Sequence, residues 1–331
     1  MARITIADVA REAGVSTMTV SRVLNNKGEI SDSTREKVQQ IISRLNYRPS
    51  MVARSLASNS TRTLGLLVPD IANPFFPEIA RGAEDVAWEH GFSLILCNTV
   101  EDQEREKRSL QLLEDKRVDG IVACSPRLPD DELIPLLERH PASVLVNRTA
   151  PSSIAGMIRR DDAYGAMRAV HHLLADERQA LCLLAGPTYS HGGKQRIRGF
   201  TSALEATGHS VEPESIITCS PDEAGGYEAA KRLLETRLQV NGLVCYNDLV
   251  ALGAIQACDE KGMRVPGDIA IVGCDDIRLA SLATPALTTL RISLYELGAN
   301  AVTMLLERMG GNRETDAVVI KPELIVRASA P

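Results

Sequence analysis

The sequence predicts an all-α helix-turn-helix headpiece followed by an α/β core of two doubly wound parallel-sheet lobes. Residues 4–25, ITIADVAREAGVSTMTVSRVLN, contain two short amphipathic helical segments joined by a glycine turn. From Thr63 onward, continuous Val/Ile/Leu runs alternate with amphipathic helical segments, a pattern typical of parallel sheets covered on both faces. This pattern extends over about 270 residues, more than one ordinary sheet needs, so we expect two similar lobes.

The first two helices carry capping and turn residues at the positions that a helix-turn-helix requires. Thr5 and Asp8 have the spacing of reciprocal caps at a helix start, and Ser16 is the predicted N-cap of the second helix. Between them, Gly14 can adopt the left-handed conformation that ends a helix. The second helix keeps a polar outer face, made of Thr17, Met18, Ser21, Arg22 and Asn25. These side chains suit the base edges and phosphates of a DNA major groove, whereas the alternative, a helical hairpin in a small bundle, needs no such face.

A third helix and a linker follow the helix-turn-helix. Ser31 is predicted to cap a helix that runs to about Leu45 and covers the first two. The segment 48–62 is rich in small and polar residues, as linkers are. Within it, one short helical turn could present an apolar ridge made of Val52, Ala53 and Leu56.

Charge divides the chain in the same way. Residues 1–62 hold ten Lys/Arg and five Asp/Glu, a net charge of +5, while the remainder carries −11. An acidic protein with a basic N-terminal part is expected to contact a polyanion with that part. We therefore expect a headpiece (1–48), a hinge helix and linker (49–62) and a two-lobed core (63–331).

The core is predicted to alternate strands with helices. Nine strands are predicted, at 63–70, 92–98, 120–124, 143–147, 180–186, 214–218, 242–248, 269–276 and 287–292. Eight helices accompany them, at 76–90, 102–116, 131–139, 163–175, 194–206, 225–237, 249–261 and 294–309. Ligands of such sheets bind beyond the carboxyl ends of the strands, so functional residues are expected directly after each strand.

Polar and aromatic side chains do follow the predicted strands. They are Asn73, Phe75, Phe76, Asn147, Arg148, Arg196, Asn247, Asp248, Asp275 and Asp276. Amides, carboxylates, arginine and aromatic rings together suit a hydroxyl-rich small molecule, through paired hydrogen bonds and stacking. The alternative for Asn247–Asp248 and for Asp275–Asp276 is to cap the helix or turn that follows, and each pair fits both interpretations.

Composition excludes several other classes of protein. No signal peptide or membrane-spanning run is found, which predicts a cytoplasmic protein and argues against an exported sugar receptor. The seven cysteines are scattered and form no CxxC pair, so we expect neither a disulfide nor a metal, and no cofactor. An enzyme is not expected either, because the chain contains no GxGxxG after the first strand, no P-loop, no GxSxG and no HExxH.

Seven sequence motifs follow one another along the chain. They are IADVAREAGVSTMTVSRVLN, NYRPSMVARSLAS, IANPFF, the R-x-x-G-F of Arg196 to Phe200, YNDLVALGA, VPGDIAIVGCDD and TPALTTLRISLYELGANAV. With them, the chain from residue 3 to about 327 resembles the lactose-repressor/galactose-repressor family of bacterial transcription factors. The resemblance implies a homodimer whose two headpieces read a pseudo-palindromic operator. It also implies an effector bound between the lobes of a periplasmic-binding-protein-like core.

For DNA, the resemblance implies base reading through Thr17, Met18 and Arg22. It further implies that segment 50–58 folds into a hinge helix on DNA and that Leu56 inserts into the minor groove. The full expected DNA-binding set is Thr5, Ser16, Thr17, Met18, Ser21, Arg22, Asn25, Ser31, Ala53, Arg54 and Leu56. An effector that alters lobe closure would change the spacing of the two hinges, and operator affinity would follow.

For the effector, the resemblance implies a pocket between the lobes. The expected pocket residues are Asn73, Phe75, Phe76, Asn147, Asp161, Arg196, Asn247 and Asp275. Asp161 stands in this set for the acidic contact of the family, with Asp162 as the alternative, because RRDDAYGA departs from the Asp-Asn pair of the family and leaves the register open. A sugar or sugar derivative is the preferred effector, with a purine corepressor as the alternative. Because no heptad extension precedes Pro331, a tetramer built on a C-terminal helical bundle is not expected.

Overall fold

The computed structural model describes residues 4–24, 28, 30–47, 60–235, 240–312 and 317–331. The chain forms two compact units, and the boundary between them falls between Thr61 and Arg62. Four residues of the expected DNA-binding set lie outside the described residues, as does the predicted hinge segment 50–58; they are Asn25, Ala53, Arg54 and Leu56.

The described part of the N-terminal unit is a three-helix headpiece. Its helices are α1 (Ile6–Ala13), α2 (Thr17–Leu24) and α3 (Asp32–Arg44). The Thr5 hydroxyl accepts a hydrogen bond from Asp8 N while the Asp8 carboxylate accepts one from Thr5 N, and Gly14 ends α1 at a φ of 64°. The helices bury one small apolar core, made of Val9, Ala10, Ala13, Val20, Val23, Val38, Ile41 and Tyr47. The three predicted helices of the headpiece are confirmed.

The first lobe of the core is built on a six-stranded parallel sheet. Its strands are β1 (Thr63–Val68), β2 (Ser93–Asn98), β3 (Gly120–Cys124), β4 (Ser143–Val146), β5 (Gly156–Arg160) and β11 (Val318–Ile320), in the order β11-β5-β4-β3-β1-β2. The helices that cover it are α4 (Phe75–Glu89), α5 (Gln103–Asp115), α6 (Asp130–Leu137) and α12 (Leu294–Met309). α4 and α12 pack so closely that a Cβ at Gly82 would lie 2.0 Å from the Tyr295 carbonyl oxygen.

The second lobe is built on a four-stranded parallel sheet. Its strands are β6 (Leu181–Leu184), β7 (Ile216–Ile217), β8 (Gly242–Cys245) and β9 (Ala270–Val272), in the order β7-β6-β8-β9. Its helices are α7 (Asp162–Ala175), α8 (His191–Ala206), α9 (Glu223–Glu235), α10 (Asp248–Glu260) and α11 (Arg278–Leu282).

The chain passes three times between the two lobes. The crossings follow β5, follow β10 (Thr289–Arg291) and precede β12 (Glu323–Ile325), and β10 pairs with β12 in antiparallel fashion. Residues at the first crossing, where β5 leads directly into α7, therefore border both lobes.

All nine predicted strands and all eight predicted core helices are present, with shifted ends. The sequence did not predict β5, β11, β12 or α11, which are short, and β5 ends in two arginines that break its apolar pattern. α8 begins at His191 rather than at 194, because Ser190 accepts a hydrogen bond from Gly193 N and caps the helix there. The lobes are also less alike than expected, with six strands against four.

None of the helices in the described part of the chain combines the length and the apolar composition that a membrane span requires. The seven cysteines are free thiols, and all but Cys219 are buried.

Candidate functional sites: a helix face and an interlobe cleft

The outer face of α2 presents the side chains that the sequence assigned to DNA. Thr17, Met18 and Arg22 are exposed, with Met18 at 63% of its full accessibility, and Ser21 is half-buried on the same helix. Val20 and Val23 turn inward to the headpiece core. The exposed apolar Met18 beside polar side chains suits contact with base edges and thymine methyl groups.

Three hydroxyls of the expected DNA-binding set cap the headpiece helices. Ser16 accepts a hydrogen bond from Thr19 N at 3.1 Å, and Ser31 accepts one from Thr34 N at 3.4 Å. Thr5 caps α1 in the same way. These residues lie at helix N-termini, where free backbone N–H groups and the helix dipole favour phosphate.

A cleft between the two lobes collects residues that follow strands of both sheets. Its lining consists of Asn73, Phe75, Phe76, Glu101, Ser125, Arg127, Asn147, Arg160, Asp162, Ser190, Gly192, Arg196, Pro221, Tyr246, Asn247 and Asp275. The space left between these side chains is only about 40 Å³, room for a few waters, whereas sites for small molecules usually measure about 300–1,000 Å³.

Four buried charges lie at the centre of the cleft. Arg160 donates from Nε to Asp162 Oδ1 at 2.7 Å and from Nη1 to Asp275 Oδ1 at 2.6 Å. Arg196 Nη2 lies 3.1 Å from the same Asp162 oxygen. Burial lowers the pKa of Arg160, but Asp162 and Asp275 outweigh that effect and hold the pKa well above its ordinary value. The cluster is charge-balanced, as buried ions must be.

Arg196 has unused hydrogen-bonding capacity. Its side chain is buried and its guanidinium stacks 4.5 Å from the centre of the Tyr246 ring. No hydrogen-bond partner within the described residues reaches its Nε or Nη1. A buried donor without a partner costs about 1–3 kcal/mol, which a ligand with acceptor oxygens would recover.

The two phenylalanines form one wall of the cleft. Their ring centroids are 5.0 Å apart at 86°, and both rings are buried. The Arg160 guanidinium lies 5.7 Å from the centre of the Phe75 ring and covers that face.

The three asparagines of the expected pocket line the cleft but already hold local partners. Asn73 Oδ1 accepts from Phe75 N at 3.0 Å, and Asn147 Oδ1 accepts from Arg160 N at 3.0 Å. Asn247 caps α10 through Oδ1 and donates from Nδ2 to the Pro221 carbonyl at 2.9 Å. The capping alternative for Asn247 is therefore confirmed, and the same residue still borders the cleft.

The structure corrects the choice of Asp161 over Asp162. Asp161 caps α7 by accepting a hydrogen bond from Tyr164 N at 3.1 Å and does not line the cleft. Asp162, one residue later, is buried among the cleft arginines. A shift of one residue at the start of a helix turns the side chain by about 100°, which local sequence patterns do not resolve.

Three other strand-end residues serve the framework behind the cleft. Asp276 pairs with Arg291 and Arg327, while Arg148 bonds the Leu128 carbonyl and Asp130. Asp248 is fully buried and accepts hydrogen bonds at its carboxylate from Ile277 N and Thr289 Oγ1. Burial, with Asp275 nearby, raises the Asp248 pKa to about 7.

Sequence reasoning left Asp162 as an alternative and missed eight lining residues, Glu101, Ser125, Arg127, Arg160, Ser190, Gly192, Pro221 and Tyr246. Several follow strands that were predicted, so the strand-end rule could have found them. Arg127 is one, held by Glu101 through two hydrogen bonds of 2.6 and 2.8 Å. Arg160 gave no such signal, because it ends a strand that the sequence did not predict.

Both units match family models of known regulators. Residues 5–50 match the model of bacterial regulatory proteins of the lacI family, and residues 61–328 match the model of periplasmic binding proteins and the sugar-binding domain of the LacI family. The chain belongs to the LacI family of bacterial transcriptional regulators. The resemblance that the motifs indicated is thereby confirmed.

Full-length relatives agree with this assignment. The chain is 37% identical over 329 residues to the HTH-type transcriptional repressor PurR of Haemophilus influenzae, covering 98% of each chain. It is 38% identical over 333 residues to the ribose operon repressor of Halalkalibacterium halodurans, covering 98% of this chain and 96% of the other. Among solved structures, it is similar to the lac repressor dimer bound to operator and the anti-inducer ONPF, with a TM-score of 0.88, 27% identity and 99% coverage of both chains.

Proposed function

We propose that this protein is a sequence-specific transcriptional repressor whose operator affinity is controlled by a small molecule bound in the interlobe cleft. One observation carries the effector part of the proposal. Arg196, buried in a cleft lined from both lobes, keeps two donors for which the described residues offer no partner. A ligand that completes them while touching both lobes would couple its binding to the relative position of the two lobes.

On the DNA side, we propose a homodimer that reads a pseudo-palindromic operator. Each α2 would read one half-site through Thr17, Met18 and Arg22, with Ser21 and Asn25 beside them. We further propose that the hinge helix contacts the operator through Ala53, Arg54 and Leu56. The solved lac repressor, a dimer on operator, supports this arrangement.

For the effector, we propose a sugar or sugar derivative. Paired carboxylates and amides suit vicinal hydroxyls, and the Phe75 ring offers a stacking face. The second candidate is a purine, favoured by the aromatic wall and by the likeness to PurR. We place the protein in the cytoplasm, with its operator, and assign no catalytic reaction to it.

Two experiments test this function. Selection of random duplexes by the full chain should enrich a pseudo-palindrome, and the absence of any enriched sequence would refute the DNA part. In a thermal-shift screen, a pentose, hexose or sugar derivative should raise the melting temperature of the wild type and of Arg198→Met, an exposed position on α8, but not that of Arg196→Met. Stabilisation by purines alone would replace the sugar with the second candidate.

A further inference from the structure

Arg160 occupies the space that an effector needs. It enters the cleft at the end of β5, where its backbone N–H is held by Asn147 Oδ1. Its guanidinium covers Phe75 and bonds both Asp162 and Asp275. The aromatic face and the two carboxylates are the groups expected to bind a ligand. In this structure the Arg160 side chain already contacts them.

The same side chain links the two lobes. β5 belongs to the sheet of the first lobe, whereas Asp275 follows β9 in the second. Their 2.6 Å contact is shielded from water, since the two side chains are 3% and 7% exposed. A shielded pair of this kind is screened little by salt and holds its geometry well.

We propose that Arg160 is a resident occupant of the cleft, a latch that closes the lobes without effector and that an effector must displace. The cleft is the effector site only if the proposed function holds, but the latch itself is a property of the effector-free protein. The cavity of about 40 Å³ supports displacement, because nothing larger than a few waters fits beside the guanidinium.

Displacement also sets the chemistry of the effector. When Arg160 leaves, Arg196 is the one cation among the described residues that stays within ion-pair distance of Asp162, while Arg127 stays paired with Glu101. The entering molecule must supply several O–H or N–H donors to the two carboxylates. A phosphate or carboxylate on the effector would add negative charge to a site left net negative, so the effector is uncharged or cationic.

The test of the latch uses a thiol beside it. Cys274 is buried, and its Sγ lies 3.8 Å from Arg196 Nη2, next to the charge cluster. Cys182 and Cys258 are buried in the core of the second lobe and report general unfolding. The full chain is alkylated with iodoacetamide without added ligand, and each thiol is followed by peptide mass spectrometry.

Arg160→Met should speed alkylation of Cys274 by at least about tenfold more than that of Cys182 and Cys258, which follow only the general loss of stability, because loss of the latch also raises the open fraction. Arg159→Met, the same change one residue earlier at a position outside the cleft lining, should leave all three rates unchanged. Asp275→Asn removes the latch from the other lobe and should expose Cys274 selectively as well.

Unchanged Cys274 protection in Arg160→Met overturns the latch. If Arg160→Met speeds alkylation of all three thiols equally, Asp275→Asn decides, and a rate for Cys274 no higher than in Arg159→Met then overturns the proposal. The charge rule is tested by melting temperature with ribose against ribose 5-phosphate and glucose against glucose 6-phosphate. A phosphate that stabilises more than its parent sugar refutes the rule while leaving the DNA-binding function intact.

Discussion

The buried ion pair between Arg160 and Asp275 should make a large and non-additive contribution to stability. Arg160→Met keeps most of the side-chain length but removes the guanidinium, leaving Asp275 buried beside an apolar group. Asp162 keeps Arg196 at 3.1 Å as a partner. The lost ion-pair interaction is therefore mainly that of the Asp275 carboxylate.

The magnitude follows from the burial of the pair. Removing one partner of a buried pair costs about 3–5 kcal/mol, so Arg160→Met should lower the free energy of unfolding by about that amount. Asp275→Asn should cost less, about 1–3 kcal/mol, because Arg160 retains its 2.7 Å bond to Asp162. The double variant should be about 1–3 kcal/mol more stable than the sum of the two losses predicts.

An exposed pair of the same residue types provides the control. The side chains of Arg264 and Asp268 form two hydrogen bonds of 3.1 and 2.8 Å with each other, yet they are 79% and 37% exposed. Arg264→Met should lower the free energy of unfolding far less than Arg160→Met does, because solvent screens an exposed pair. The two pairs therefore differ mainly in burial.

The assay is urea unfolding of the full chain at pH 7, followed by far-ultraviolet circular dichroism for the three single variants and the Arg160→Met/Asp275→Asn double variant. A loss in Arg160→Met no larger than in Arg264→Met would refute the argument from burial. Additivity of Arg160→Met and Asp275→Asn to within about 0.5 kcal/mol would show that the two side chains do not interact energetically.

Three further predictions concern the two sites and the framework. Arg22→Ala should weaken operator binding by about 1–3 kcal/mol more than binding to random duplex in fluorescence anisotropy, and equal losses would assign Arg22 to phosphate alone. Gly192→Val should abolish the effector-induced thermal shift, since a Cβ there would lie 2.9 Å from Asp162 Oδ2 and 3.1 Å from Arg196 Nη1. Retention of the shift would contradict this, and Lys194→Val on the same helix is the control. Burial raises the Asp248 pKa to about 7, above its unfolded value, so its contribution to stability is present at low pH and is lost as pH rises through 7. Asp248→Asn should reduce the fall in unfolding free energy between pH 5 and 8, and an equally steep fall would contradict the assignment.

Local chemistry made the headpiece predictable. The Thr5–Asp8 caps, the Gly14 turn and the inward Val20 and Val23 act within one or two helical turns, so their consequences can be read from neighbouring residues. In the core, the alternation of strands and helices could also be predicted from neighbouring residues. The rule that ligands bind beyond strand ends then located Phe75, Asn147 and most of the expected pocket.

The sequence by itself determined the family, the order of the elements and the region of the cleft, because these depend on short-range patterns and on motifs. Only the tertiary structure decided which charges meet there. Arg160 and Asp275 are 115 positions apart, and their contact requires β5 to end opposite β9. The sequence did not predict β5, because its two arginines break the apolar pattern of a strand. The choice of Asp162 over Asp161 likewise depended on which side of the α7 terminus faces the cleft. Such pairings arise from the packing of distant segments, which no local pattern encodes.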